Sequence, residues 1–198
     1  DRGRHDGQPT QPSLAILDLE QRDENTFVGV HPSKNPIRTF GGQMMAQAFV
    51  AAGRTLKHAV PPSAMSVHFI AGGDPDIDLE FHVARLRDER RFANRRVDVM
   101  QKGQLITTAI VSYLAGGRGL EHAVPAPELG DPAQVAPLDE LLRGYEHVVP
   151  HFANALHPIE WRYTNDPAWI MRDKGERLEH NRVWMKAHGA MPDDPVLH

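Results

Sequence analysis

The 198-residue sequence predicts an α+β fold in which an antiparallel sheet wraps a central helix. Residues 44–52 are apolar apart from Gln47, and a helix apolar on nearly every face must be covered on nearly every face. The residues after it read as long strands rich in Val, Ile, Thr and aromatic side chains. The turns between those strands are short, which favours antiparallel neighbours.

The elements follow in order. Residues 1–13 are polar, with Gly and Pro, and predict a flexible tail. They lack the basic-then-apolar order of a signal peptide. Ser13 is placed to cap a short helix over 14–22, with Leu14, Leu17 and Leu19 as its apolar positions. Residues 26–30 favour a strand and 32–36 a loop. Gly41-Gly42-Gln43 opens the apolar helix, which runs to about Leu56. Its apolar stretch is only about 20 Å long at ~1.5 Å per residue, short enough for one curved sheet to sheathe.

Residues 64–70 predict a strand. Ile77, Leu79, Phe81 and Val83 then alternate with Asp78, Glu80 and His82, the pattern of a strand with one wet face. Residues 87–90 make a charged turn, and 92–100 form another strand with Val97 and Val99 on one face. Lys102-Gly103 signals a tight hairpin into a third long strand over 105–114. Residues 119–137 are rich in Pro, Ala and Gly without a period and read as a linker. A short helix is predicted over 138–145, and strands over 159–163 and 182–186. Pro192-Asp193-Asp194 is a helix-start signal.

Composition narrows the function classes. The formal net charge of −4 does not suit a general nucleic-acid binder, which needs a basic surface. Without cysteine, the chain can form no disulfide, thiolate metal site or cysteine nucleophile. The absence also fits a reducing compartment, and a cytoplasmic location is expected. No run approaches the ~20 apolar residues that a membrane span needs.

Several segments together resemble the acyl-CoA thioesterase II family, of the bacterial and peroxisomal type. They are Phe40-Gly41-Gly42-Gln43 followed by Ala46-Gln47-Ala48, then Phe69 through Gly73-Asp74, then Leu86-Arg87-Asp88 with Arg90, Phe92, Arg95, Arg96 and Val97, and Gln101-Lys102-Gly103. Asn165 and Trp184-Met185-Lys186, ending in Pro192-Asp193-Asp194, resemble the opening of that family's second repeat. The order and spacing of these segments carry the resemblance more than any one of them. Two departures stand out. Gly72 occupies a position where the family usually has proline. Ser63 and Ser66 stand where the family tends to place a histidine, so no catalytic histidine is carried over.

The resemblance implies a double hotdog fold and hydrolysis of fatty acyl-CoA thioesters by a carboxylate-activated water. It implies a tail over 1–13, a first hotdog repeat over 14–118, a linker over 119–150 and an incomplete second repeat over 151–198. The family's catalytic Asp, Thr (or Ser) and Gln lie in its second repeat, and no position here matches them. They are expected beyond His198, so this span alone is expected to be inactive or poorly folded. A homo-oligomer is expected from the resemblance alone. No cofactor or metal is expected.

The chemistry asks little of the protein. A thiol leaving group with a pKa near ~8.5, like that of cysteine, departs without a general acid. What remains is to orient a water, accept its proton and stabilise an oxyanion. The residues assigned to substrate binding are Gly42, Gln43, Met44, His68, Arg95 and Arg96. Gly41 and Gly42 are read as letting the buried helix pack closely rather than as catalytic groups. Gln43 is a candidate for lining the substrate tunnel, and Met44 and Met45 for core packing beside an acyl channel. The basic residues Arg85, Arg87, Arg90, Arg91, Arg95, Arg96 and Lys102 are candidates for the CoA phosphates. A charged rim paired with Asp88, Glu89 and Asp98 is the simpler account of most of them. Arg95 and Arg96 point to opposite faces of one strand, so both cannot serve. The 12 histidines show no metal-ligand spacing. The alternatives are a noncatalytic acyl-CoA-binding or scaffold module, and a hotdog dehydratase. The dehydratase needs a histidine with an acidic partner near the helix, and residues 40–56 supply neither.

Overall fold

The computed structural model describes residues 12–31, 38–117, 119–149, 159–177, 179–194 and 196–197. They fall into two units, Asp1–Gly119 with Met191–His198, and Leu120–Ala190.

The first unit is a six-stranded antiparallel sheet curved about one helix. The sheet contains β1 (Glu20–Gln21), β2 (Thr26–Gly29), β3 (Pro62–Phe69), β4 (Leu79–Asp88), β5 (Phe92–Gln101) and β6 (Gln104–Leu114), in the order β1-β2-β4-β5-β6-β3. A short helix α1 (Pro12–Leu17) precedes it, and α2 (Gly41–Arg54) packs against β2, β4, β5 and β6. The helix has the composition for this place. Alanine, glycine and methionine give it a narrow, apolar surface, and Met44, Ala48, Val50, Ala51 and Ala52 are buried. From the sheet side Phe27, Leu79, Phe81, Val97, Val99 and Val111 are fully buried. Each such side chain contributes roughly 1.5–3 kcal/mol on burial.

The alternation read at 77–83 appears as Leu79, Phe81 and Val83 buried and Glu80 and His82 exposed. The β5–β6 hairpin turns at Lys102 and Gly103, both at positive φ (48° and 77°), and closes with Gln101 opposite Gln104. Gly29 is required where β2 meets α2. A Cβ there would lie 2.8 Å from the Gln47 carboxamide.

Three expectations need correction. The first helix ends at Leu17 rather than at Arg22, and Ser13 lies inside it. Glu20 and Gln21 instead pair with Val28 and Phe27, and Leu19 is buried in the core. Sheet pairing and burial outweigh the few tenths of a kcal/mol per residue of local helix preference. The central helix is also less completely covered than its composition demands, for Met45 remains 37% exposed and Phe49 is half-buried. In the second unit, the helix expected over 138–145 is only α3 (Leu138–Leu141). The loop expected over 32–36 lies outside the described residues.

The second unit, as far as it is described, is a two-stranded antiparallel ribbon, β7 (Ile159–Tyr163) with β8 (Val183–Ala187), together with α3 and α4 (Ala168–Asp173). Residues 119–131 carry no helix or strand. A 3-10 turn at Pro132–Gln134 is capped by Asp131, whose carboxylate accepts from the Ala133 N–H at 2.8 Å. Arg162 donates to the Val135 carbonyl and pairs with Glu160, which ties the ribbon to the segment before α3. Ile170 on α4 is fully buried.

Candidate functional site

The uncovered flank of α2 lines a groove of about 380 Å³. Gly42, Met45, Ala46 and Phe49 form its helical wall, Met65 of β3 faces them, and Leu17, Val196 and Leu197 complete it. Among the described residues, no charged side chain lines the groove. Apolar walls with two flexible methionines suit a hydrocarbon chain of variable length. Phe49 is held from behind by Tyr113, with ring centroids 6.5 Å apart. Tyr113 is itself buried, and burial pushes its hydroxyl pKa well above the ordinary range.

The groove runs alongside the N-terminal end of α2. The Gln43 and Met44 N–H groups donate to the Phe40 carbonyl (3.1 and 3.3 Å), and for those of Gly41 and Gly42, which precede the helical ladder, Phe40 at the N-cap supplies no side-chain cap. The rings of Phe40 and Phe69, 68% and 55% exposed, flank this end. A Cβ at Gly42 would lie 2.4 Å from the Phe40 ring, and one at Gly41 would lie 3.0 Å from the Phe69 ring. The two glycines therefore let two aromatic rings close on the start of the helix. They leave backbone N–H groups there with the partial positive charge that favours an anion or oxyanion.

A polar cluster gathers around Gln43 in the first turn. Gln43 Nε2 donates to the Val30 carbonyl and to His31 Nδ1, both at 3.3 Å, and to Gln47 Oε1 at 3.5 Å. His31 Nε2 donates to the Ile77 carbonyl at 2.8 Å. Gln47, fully buried, donates to the carbonyls of Ile16 (2.8 Å) and Val30 (3.3 Å). Gln101 holds the 74–77 turn by accepting from the Asp74 N–H and donating to the Asp74 and Ile77 carbonyls. Gln47 could have been suspected from sequence as the one polar residue of an apolar stretch. Nothing in the local pattern marked His31.

The six residues assigned from sequence do not converge. Gly42 is on the groove and Gln43 is half-buried one residue further on. Met44 is buried on the core side, where its sulfur accepts from the Thr107 hydroxyl at 3.5 Å. His68 is exposed on β3, an outer strand of the sheet. Arg96 is half-exposed and paired with Asp98 at 3.2 Å.

Arg95 is fully buried. Its Nε donates to the Thr55 hydroxyl (2.7 Å), Nη1 to the Arg87 and Asn94 carbonyls (2.9 and 3.0 Å), and Nη2 to the Thr55 carbonyl and the Asp88 carboxylate (3.2 and 2.7 Å). All five guanidinium N–H groups are thereby used, which leaves none for a phosphate. Its hydrogen bond holds the Asp88 carboxyl below the usual carboxylate range. Glu89 is lowered by the hydrogen bond from Arg87. The arginines of this region are thus largely paired with their own acids. Among the described residues, no group of three His, Asp or Glu side chains could hold a metal ion.

Comparison with known proteins points one way. Residues 30–114 match the family model described as the acyl-CoA thioesterase N-terminal domain, and residues 152–198 match one described as acyl-CoA thioesterase. Together the matches take in more than half of the chain. Acyl-coenzyme A thioesterase 8 of Mus musculus is 29% identical over 197 residues, covering 92% of this chain and 60% of that protein. Acyl-CoA thioesterase 2 of Haemophilus influenzae is 27% identical over 188 residues, covering 91% and 64%. Among solved structures, the acyl-CoA thioesterase II TesB2 of Mycobacterium marinum superposes with a TM-score of 0.67 at 28% identity, covering 94% of this chain and 62% of that one. A protein described as having a hot dog fold, from Alicyclobacillus acidocaldarius, gives a TM-score of 0.70 at 20% identity, covering 95% and 67%. The fold is therefore the hotdog. The chain spans about 60% of the length of the mouse and rat proteins it matches.

Proposed function

Since the chain belongs to the acyl-CoA thioesterase II family, we propose that the protein hydrolyses fatty acyl-CoA thioesters to free fatty acid and CoA. The observation that carries the reading is the apolar groove of about 380 Å³ ending beside the uncapped start of α2. A fatty chain fits between Met45, Phe49 and Met65, with its thioester near Gly41 and Gly42. The helix terminus there supplies N–H groups suited to the thioester oxygen. In this reading Gly42, Gln43 and the groove bind substrate, and a carboxylate-activated water does the hydrolysis. Arg96, whose ion pair is exposed, is a better candidate than Arg95 for the CoA phosphates.

The same proposal takes residues 14–118 as a first hotdog repeat, 119–150 as a linker and 151–198 as part of a second. A role in fatty-acid metabolism, a cytoplasmic setting and a homo-oligomeric state belong to it as well. Among the described residues the outer strand β3 has no partner on its far edge, the kind of edge that another sheet covers.

The test is release of CoA thiol from short-, medium- and long-chain acyl-CoAs by the full-length protein. Turnover that favours fatty over acetyl thioesters is expected. Tight binding without turnover would favour a noncatalytic acyl-CoA-binding module, and neither binding nor turnover would end the reading.

A further inference from the structure

We propose that His31 is a positioning residue that sets the orientation of the Gln43 carboxamide, so that the amide oxygen rather than the nitrogen meets the pantetheine arm of a bound acyl-CoA. This rests on the thioesterase reading of the groove. A carbonyl oxygen only accepts, so the 2.8 Å contact with Ile77 puts the ring proton of His31 on Nε2. Nδ1 then presents a lone pair to Gln43, 3.3 Å away. Val30 presents a carbonyl oxygen at 3.3 Å and Gln47 an amide oxygen at 3.5 Å. The Gln47 nitrogen is already committed to Ile16 and Val30, so its oxygen must be the end that faces Gln43. Three acceptors therefore surround one amide nitrogen. Turning the carboxamide over would set its oxygen against two oxygens and a lone pair.

His31 is able to impose this because it is itself fixed. The carbonyl it holds, that of Ile77, also accepts from Gln101 Nε2 at 2.7 Å. Gln101 is tied to Asp74 by two further bonds, each of 2.8 Å. With its nitrogen engaged inward, half-buried Gln43 offers an acceptor beside the start of α2. Pantetheine carries amide N–H donors, for which an oxygen is the complement and an NH2 group is not.

Two isosteric replacements in the full-length protein separate this from a merely structural role. Asparagine places its amide at the position of His Nδ1, and glutamine places its own at Nε2. With lauroyl-CoA as substrate, His31→Asn is expected to keep KM near wild type. His31→Gln is expected to raise it about tenfold with kcat little changed, the loss of about one hydrogen bond. In a Gln43→Ala background neither change should move KM further, as befits a residue that acts through Gln43. The nitrogen NMR signal of the Gln43 side-chain amide, read without substrate, should shift in His31→Gln and hold in His31→Asn, which keeps the test open if a variant loses activity through instability. The opposite order of the two variants, or effects that add in full to those of Gln43→Ala, would overturn the proposal while leaving the thioesterase reading intact. A wild-type protein that neither binds nor hydrolyses lauroyl-CoA would remove both.

Discussion

Replacing Arg95 by methionine removes a buried guanidinium whose N–H groups are all engaged. The variant leaves the Thr55 hydroxyl and the carbonyls of Thr55, Arg87 and Asn94 without this donor. The two acceptors at Thr55 are buried, and each costs about 1 kcal/mol or more when unmet; those at Arg87 and Asn94 are part-buried and cost less. The Asp88 side chain is 24% exposed, so its carboxylate can turn to water, and its share is discounted accordingly. Methionine fills much of the arginine's volume and recovers some packing. A net loss of about 3 kcal/mol is expected, within the range for breaking a buried polar network.

The dependence on pH gives the sharper signature. Arg95 lowers the folded-state pKa of Asp88. That contribution is fully present above the unfolded value of about 3.9 and fades as pH falls through the folded one. The gap between wild type and Arg95→Met should therefore be widest near neutrality and narrow in acid. Urea unfolding should be followed by hydrogen exchange at Val97 and Val111. Tryptophan fluorescence is the wrong probe, because Trp161, Trp169 and Trp184 all lie within Leu120–Ala190. A loss below about 1 kcal/mol, against a range of 3–5 kcal/mol for breaking a buried pair, or a gap that does not change with pH, would refute the reasoning.

Other predictions are simpler. Gly29→Ala should cost roughly 1–3 kcal/mol, measured by urea midpoint, because its Cβ would stand 2.8 Å from the Gln47 carboxamide. Phe27→Ala, at a fully buried position on β2, should cost about 3–5 kcal/mol in the same assay. Lys102→Gly should stabilise by up to about 1 kcal/mol by relieving the φ of 48° at the hairpin, and a fall in midpoint would contradict this. Phe49→Ala should shift the acyl-CoA preference toward longer or bulkier chains, since Phe49 walls the groove, and an unchanged chain-length profile of kcat/KM would place the acyl chain elsewhere.

What could be read in the sequence follows from which forces were local. The alternation at Leu79, Phe81 and Val83 and the Lys102-Gly103 turn are short-range signals, and both appear in β4 and the β5–β6 hairpin. The nearly uniform apolarity of 44–52 predicts a wrapped helix, and α2 is one except along the flank of Met45 and Phe49. The first helix is shorter than its local pattern predicts because Leu19, Glu20 and Gln21 answer to a strand and a core that no local window contains. The candidate site was less legible for the same reason. Arg95 and Arg96 were correctly separated onto two faces by strand geometry, yet periodicity does not say which face is the interior. Gly42 and Gln43 stand in the helix-entry segment that carries the family resemblance, whereas Met65, Val196 and Leu197 reach the groove from distant parts of the chain. His31 is held by a carbonyl 46 residues away, a contact that no local window contains.

Under the proposed reading, the fixing of α2 at both ends bears on how a long acyl chain would be admitted. At one end Arg95 grips the Thr55 hydroxyl and carbonyl. At the other, Gln43 and Gln47 hold the helix to Val30, His31 and Ile16. To slide or tilt and so widen the space next to it, the helix would have to break these bonds, each worth about 0.5–1.5 kcal/mol. Accommodation then falls to rotamer changes of Met45, Phe49 and Met65, which are quick and local, so uptake of varied chains should need no large-scale opening of this unit.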